Sequence, residues 1–264
     1  MGKSFLLTSK DGLSTAKIDE GELISYQHQS IEYIHQKEHS GWNNSDTEMF
    51  PVIGPTQKNN FKVHTKFGDA VLDQHGLLRE LPYVYKSNNG QLIFEKKYKK
   101  NTKFLNRKFP NKSTIKEVYW PYDFTFIKKI SLSNSCLIIN FEITSPIDMP
   151  FMFGYHPAFA LSNTCVESIE TFEKKISLQN VLAIGASAFP VLNTNELLLV
   201  QPEKKNLKIN TKGFGHFMLW TEVENMICIE PITHYPNLDT QKYSEKNMLL
   251  STGKNHFSIE ISLL

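Results

Sequence analysis

Cysteine is scarce. Cys136, Cys165 and Cys228 are odd in number and far apart, which argues against a disulfide framework and for free thiols in a reducing compartment. Two stand in apolar runs, Cys136-Leu-Ile-Ile and Ile-Cys228-Ile, and are expected to be buried. Long hydrophobic runs are missing too: no stretch approaches the roughly 18 apolar residues of a membrane-spanning helix. Phe5-Leu6-Leu7 is too short for the apolar part of a secretion signal, and Leu6 stands where a myristoylation signal needs Ser or Thr. Charge of one sign is also lacking. With 29 Lys and Arg against 27 Asp and Glu, the formal net charge is +2, too little to draw the chain to nucleic acid or anionic lipid. No Gly-rich phosphate loop, Cys-x-x-Cys, His-Glu-x-x-His or Gly-x-Ser-x-Gly occurs, which weighs against nucleotide, zinc, metalloprotease and esterase chemistry. His64, His75 and His216 have no neighbours at metal-ligand spacing. A soluble, cytoplasmic protein is expected, with no metal and with neither nucleic acid nor membrane as partner.

What the chain does have is alternation. It is 40% hydrophobic and 21% charged over 264 residues, enough for one core, and residues 1–264 are read as a single domain. Phe257, Ile259, Ile261 and Leu263 alternate with polar residues to the C-terminus, predicting a half-buried strand whose deletion unfolds the protein. Phe124, Phe126, Ile130 and Leu132 share one strand face. Leu137, Ile139, Phe141 and Ile143 share the next, after a turn at Ser133-Asn134-Ser135. Further strands are predicted over 91–94, 175–178, 197–200, 207–210, 217–221 and 226–230, and so many short strands imply an all-β sandwich. The lysine-rich stretch from Lys96 to Lys112 interleaves with aromatics, but is read as a solvated edge strand and loop rather than a nucleic-acid surface.

With those motifs missing, acid/base chemistry remains. Two titratable residues precede prolines at the ends of apolar runs: Phe151-Met-Phe-Gly-Tyr-His156-Pro157 and Met226-Ile-Cys-Ile-Glu230-Pro231. Proline forces the preceding residue towards extended backbone, so His156 and Glu230 each have a restricted placement at an expected strand end. A core histidine and a lysine-paired glutamate are the bland alternatives. Gly154 removes a side chain where a ligand could approach the backbone. Asp73-Gln-His75-Gly76-Leu-Leu-Arg79-Glu80 offers hydrogen-bond donors suited to hydroxyl groups, though the residues alone favour a surface turn with an ion-paired Arg79.

The order of these motifs resembles the aldose 1-epimerase superfamily, in particular its short LacX-like branch. The likeness spans nearly all of the chain: Glu20-Gly-Glu-Leu-Ile-Ser25, Glu32-Tyr33, Trp42, Phe50-Pro-Val-Ile-Gly54, Gln74-His75-Gly76 with Arg79, Trp120-Pro-Tyr-Asp-Phe124, Met149 to Phe159, Ile227-Cys-Ile-Glu-Pro231 and Leu249 to Phe257. The resemblance implies a galactose-mutarotase-like β-supersandwich with a cleft on one sheet face. It also implies Glu230 as general base, His156 as general acid and His75 as a substrate-binding residue, with no cofactor. Mutarotation needs one group to take the C1 hydroxyl proton and another to protonate the ring oxygen. Arg79 is expected to bind substrate, and Trp42, Trp120 or Tyr155 to stack on the sugar or serve the core.

The chain departs from the family pattern in places. Pro55 follows Gly54 where an arginine that contacts the sugar is usual, Ser145 replaces a common asparagine, and Ile232-Thr-His-Tyr-Pro-Asn237 replaces the usual continuation of the glutamate motif. No counterpart of the mutarotase aspartate can be placed. The expected activity is therefore anomer interconversion of an aldose. A sugar-binding or regulatory protein on the same scaffold and a hexose-phosphate epimerase are the alternatives, the latter needing a basic rim. The expected partner is a small sugar, and the expected state a monomer or homodimer.

Overall fold

The computed structural model describes residues 3–88, 90–236 and 243–264. The described residues form sheets whose strand pairs are antiparallel. The largest has nine strands, in the spatial order Lys175–Ser177, Ser168–Glu170, Glu196–Val200, Leu207–Lys212, Lys254–Leu263, Cys136–Thr144, Phe124–Ser133, Gln91–Tyr98 and Val84–Asn88. The C-terminal strand is central, pairing along its length with Leu207–Lys212 on one side and Cys136–Thr144 on the other. Its alternating burial follows the alternation in the sequence.

Facing it is a six-stranded sheet of Phe189–Leu192, His216–Trp220, Met226–Ile232, Gly154–Tyr155 and Glu48–Met49, with Ala158–Ala160 also pairing with Met226–Ile232. Phe126, Phe141 and Phe257 of the large sheet meet Phe153 at ring distances of 5.6, 5.2 and 4.8 Å, largely in edge-to-face geometry. Such aromatic contacts add directional preference to the burial that holds the sheets together. A four-stranded sheet over residues 4–32 covers one side. No described helix is long and apolar enough to cross a membrane.

Two readings change on contact with the fold. Only Cys228 is buried; Cys136 and Cys165 are half-buried. The Lys96–Lys112 stretch is not uniformly solvated, because Lys96 occupies an inward position of Gln91–Tyr98, between Phe94 and Tyr98. On the neighbouring strand Lys128 does the same between Phe126 and Ile130 and is fully buried. Their carboxylate partners come from Glu48 at the edge of the opposite sheet and from Asp46 just before it. Lys128 Nζ donates to Asp46 Oδ2 at 2.6 Å and to the Gly21 carbonyl at 2.9 Å, and lies 3.0 Å from Glu48 Oε1. Lys96 Nζ donates to the Leu78 carbonyl at 3.0 Å and lies 3.7 Å from Glu48 Oε2. The two sheets are thus joined here by two cations and two carboxylates.

Candidate active site

Glu230 lies in the middle of Met226–Ile232, not at the strand end the sequence suggested. It stands opposite Met218, and Cys228 opposite Trp220. Directly opposed residues share a face, so Met218, Trp220 and Glu230 form one patch. Next to it, Gly154–Tyr155 and Ala158–Ala160 both pair with the glutamate strand, but the pairing is interrupted at His156 and Pro157, where the Pro157 carbonyl accepts from the Ile229 N–H at 3.3 Å. Pro157 has no N–H to offer. The His156 backbone instead exchanges hydrogen bonds with Thr47, at 2.8 and 3.2 Å. This interruption turns the imidazole onto Glu230, with Nε2 3.4 Å from Oε1.

The remaining polar atoms of the pair, His156 Nδ1 and Glu230 Oε2, are buried without a hydrogen-bond partner. Trp42 stacks on the imidazole, ring centres 4.3 Å apart and planes 27° from parallel. Both residues line a cavity of about 430 Å³, with Trp42, His75, Arg79, Met218 and Trp220 also in its wall.

His75 belongs to a turn docked on Phe50–Gly54. Its carbonyl accepts from the Phe50 N–H, and its own N–H donates to the Gly54 carbonyl, both at 3.1 Å. Gly76 is required there: φ is +77°, and a Cβ would stand 2.2 Å from the Phe50 carbonyl oxygen. His75 Nδ1 accepts from Gly54 N–H at 3.1 Å. His75 Nε2 lies 3.3 Å from the Gln74 amide nitrogen. Among the described residues Arg79 forms no ion pair: Glu80 is taken by Arg107 at 3.0 Å, while Arg79 Nε and Nη2 are buried with no hydrogen-bond partner.

Burial dominates the electrostatics. It drives the Glu230 carboxyl well above its ordinary range, against an opposing pull from Arg79. It drives His156 down to about 3, helped by the Arg79 charge. His75 is held well below its ordinary value by burial, then by Arg79 and His156. Burial also lowers Arg79 itself, to about 10. Low polarity thus favours a His156–Glu230 pair that carries one proton and no net charge. Among the described residues, no group of three His, Cys, Asp or Glu could hold a metal ion.

The family model for aldose 1-epimerase matches residues 58–237, a span that contains His75, Arg79, His156 and Glu230. The chain belongs to the aldose 1-epimerase family. Solved structures with the same fold include a galactose mutarotase related enzyme from Lactobacillus acidophilus, 17% identical with a TM-score of 0.75, the match covering 98% of this chain and 97% of that one. A galactose mutarotase-like protein from Lactobacillus casei is 16% identical with a TM-score of 0.77, over 98% and 100% of the two chains. A GalM/aldose epimerase homologue from C. elegans is 10% identical with a TM-score of 0.69, over 100% and 99%. At these identities the likeness is one of fold, a galactose-mutarotase-like β-sandwich. No curated protein matches the chain.

Within this aldose 1-epimerase-family fold, the five residues expected from sequence to accompany the acid/base pair divide. His75, Arg79 and Trp42 reach the cavity; Tyr155 does not. It is fully buried, and its hydroxyl donates to Asp46 at 2.6 Å, because residues adjacent on an extended strand point to opposite faces. Trp120 is likewise core. Gly154 serves packing rather than ligand approach: an added Cβ would meet Met49 Cε at 2.5 Å and Ile232 Cγ2 at 3.0 Å. Pro55 lines the cavity where the family arginine is usual. Asn237 lies outside the described residues.

Sequence reading missed Trp220, Met218 and Gln74 as wall residues. It also passed over Lys128, although an inward lysine between Phe126 and Ile130 was a visible break in the apolar face. A larger cavity of about 740 Å³ lies on the other side of Arg79, bounded by Asp46, Glu48, Tyr83 and Lys96. Asp46 and Glu48 there are already matched by lysines, and no histidine stands in its wall.

Proposed function

We propose that this protein is an aldose 1-epimerase, interconverting the α and β anomers of a sugar by acid/base ring opening. The observation that supports this most directly is the His156–Glu230 contact on the cavity wall, each side chain retaining an unpartnered polar atom. Buried polar groups are ordinarily satisfied within the protein, so an unsatisfied pair bordering a cavity is suited to a hydroxylated ligand.

The chemistry follows from the single proton the pair holds. A sugar placed between the side chains gives its C1 hydroxyl proton to ionised Glu230, while protonated His156 delivers its proton to the ring oxygen. The C1–ring-oxygen bond breaks as C1 becomes the aldehyde carbon. Rotation about C1–C2 presents the other carbonyl face; the ring hydroxyl then attacks, returning its proton to His156 while Glu230 protonates the carbonyl oxygen. Proton count and charge are restored. The resting neutral form, with the proton on Glu230, becomes this reactive form by one transfer within the pair. His75 and Arg79 would contact the substrate from the cavity wall, and Trp42 would fix the imidazole plane.

The test is exchange NMR on the anomers of free and phosphorylated aldoses, with wild type and Glu230→Gln compared. Catalysed exchange that disappears in the variant supports the reading. Saturable binding of sugars without added exchange would instead make the protein a sugar-binding module on this scaffold.

A further inference from the structure

Building on that epimerase reading, we infer that the site takes sugars bearing an acidic group, a phosphate ester or a carboxylate, held by Arg79, Lys108 and Lys112. All three cations line the His156–Glu230 cavity, against two carboxylates, Glu222 and Glu230. In a chain whose net charge is only +2, this is a local excess. It grows further because burial favours the protonated form of Glu230.

These cations are not spent on protein carboxylates. Among the described residues none of the three forms a salt bridge of the kind that ties Arg107 to Glu80. Arg79 keeps Nε and Nη2 buried and unpartnered. Lys108 Nζ donates to a neutral acceptor, Gln74 Oε1, at 2.6 Å. Lys112 is exposed at the rim. A buried guanidinium with free donors is unfavourable unless an oxyanion completes it, and a phosphate or carboxylate matches its fork of N–H groups.

The loop that carries the lysines is fixed in place. The buried Asp73 carboxylate accepts from Asn106 Nδ2 at 2.7 Å and from the Gln74 N–H at 2.6 Å. Asn106 Oδ1 then accepts from Lys108 N–H at 3.1 Å, and the Lys108 carbonyl from Lys112 N–H at 2.8 Å. One buried carboxylate thus ties the lysine loop to the turn bearing His75 and Arg79, so charge recognition and the acid/base pair share a frame. The cavity volume of about 430 Å³ falls in the range of roughly 300–1,000 Å³ usual for small-molecule sites. Pro55 completes the argument. The family's usual sugar-contacting arginine is missing at that point, and the positive charge comes instead from the loop that carries Lys108 and Lys112.

The decisive measurement is calorimetric titration of the Glu230→Gln variant with glucose, glucose 6-phosphate, glucuronate and inorganic phosphate. Glucose 6-phosphate or glucuronate is expected to bind at least about tenfold more tightly than glucose, since charge-assisted hydrogen bonds are worth one to two orders of magnitude. The stronger of the two identifies the acidic group, and competition by inorganic phosphate marks the ester. Adding Lys108→Met and Lys112→Met should reduce that preference severalfold, the remainder being due to Arg79, while leaving glucose binding unchanged. Glucose binding as tightly as both acidic sugars, or a preference that the lysine substitutions leave unchanged, overturns the proposal. Wild-type anomer exchange separates the two readings. Selective binding without exchange removes the epimerase and leaves the anion subsite, whereas equal exchange of glucose and the acidic sugars does the reverse.

Discussion

Two groups of buried ionisable residues lie on opposite sides of the strand segment that carries Tyr155 and His156, and they are built on opposite principles. In the quartet of Asp46, Glu48, Lys96 and Lys128, each cation meets a carboxylate, and Tyr155 adds a hydroxyl. Burial raises Asp46 to about 6 and lowers Lys96 to about 8. Burial also pulls the Lys128 ammonium down, but Asp46 and Glu48 outweigh it and leave it above its ordinary value. In the His156–Glu230 pair burial outweighs what opposes it, the Arg79 charge at Glu230 included, so both groups are driven towards their uncharged forms. A charge-matched buried network fixes geometry; a pair without matching charge awaits a ligand. The first group should therefore fail in stability when broken, the second in turnover.

The largest effect is expected from Glu230→Gln, which keeps the shape of the side chain but cannot take a proton. Anomer exchange should fall by ~10²–10⁴, with the melting temperature nearly unchanged. His156→Asn should behave likewise. The double variant should be little worse than either single one, because each proton transfer is useless without the other. A drop in melting temperature with exchange intact would make the pair structural and erase the contrast with the quartet.

Lys128→Met should do the opposite. Removing the ammonium strands Asp46 and Glu48 in the core, and breaking one side of a buried ion pair costs about 3–5 kcal/mol, read as a lower midpoint in chemical denaturation. Adding Asp46→Asn and Glu48→Gln to Lys128→Met should recover part of that loss. A triple variant no more stable than the single one would show that the lysine acts through packing rather than charge.

How much of this was legible in the sequence depended on whether a signal was local. The C-terminal strand and the Phe124–Ser133 and Cys136–Thr144 hairpin were written in period-2 alternation, and the strand bearing Glu230 in a short apolar run. The two X-Pro dipeptides marked His156 and Glu230 because proline restricts its predecessor wherever it occurs. The quartet was not legible, since Glu48 lies at the edge of one sheet with Asp46 just before it, and Lys96 and Lys128 lie on the other. Only the fold brings them together, and a lysine among lysines reads as surface. Tyr155 was misplaced by a similar ambiguity. Adjacency to His156 suggested the cavity, but strand alternation turns it to the quartet.

A pH experiment sharpens the contrast. His156 is held at about 3 against an ordinary 6.5. A depressed folded value means that its contribution to stability is complete above 6.5 and is lost as pH falls towards about 3. Denaturation midpoints of wild type should decline across that window more steeply than those of His156→Asn. Exchange activity should persist below neutrality and fall as pH rises through the raised Glu230 value, where the pair loses its shared proton. An identical acid limb in the two proteins would mean that His156 is not held neutral by burial.

The smallest expected effect belongs to Tyr155→Phe, and it tests the boundary between the two regions. The hydroxyl donates to Asp46 Oδ2, the oxygen that also receives Lys128, and the ring lies 5.1 Å from the Lys128 ammonium. Phenylalanine keeps the ring and its packing, so only the hydrogen bond to a charged acceptor is lost. Such bonds contribute about 1.5–3 kcal/mol, and the value should sit at the low end because Lys128 and its partners still neutralise Asp46. Were Tyr155 a sugar ligand, the substitution would raise KM and leave the unfolding midpoint alone. As a member of the quartet it should lower the midpoint and leave KM unchanged, even though the next residue in the chain is His156. Steady-state kinetics and a denaturant titration on one preparation separate these outcomes, and a raised KM would return Tyr155 to the cavity.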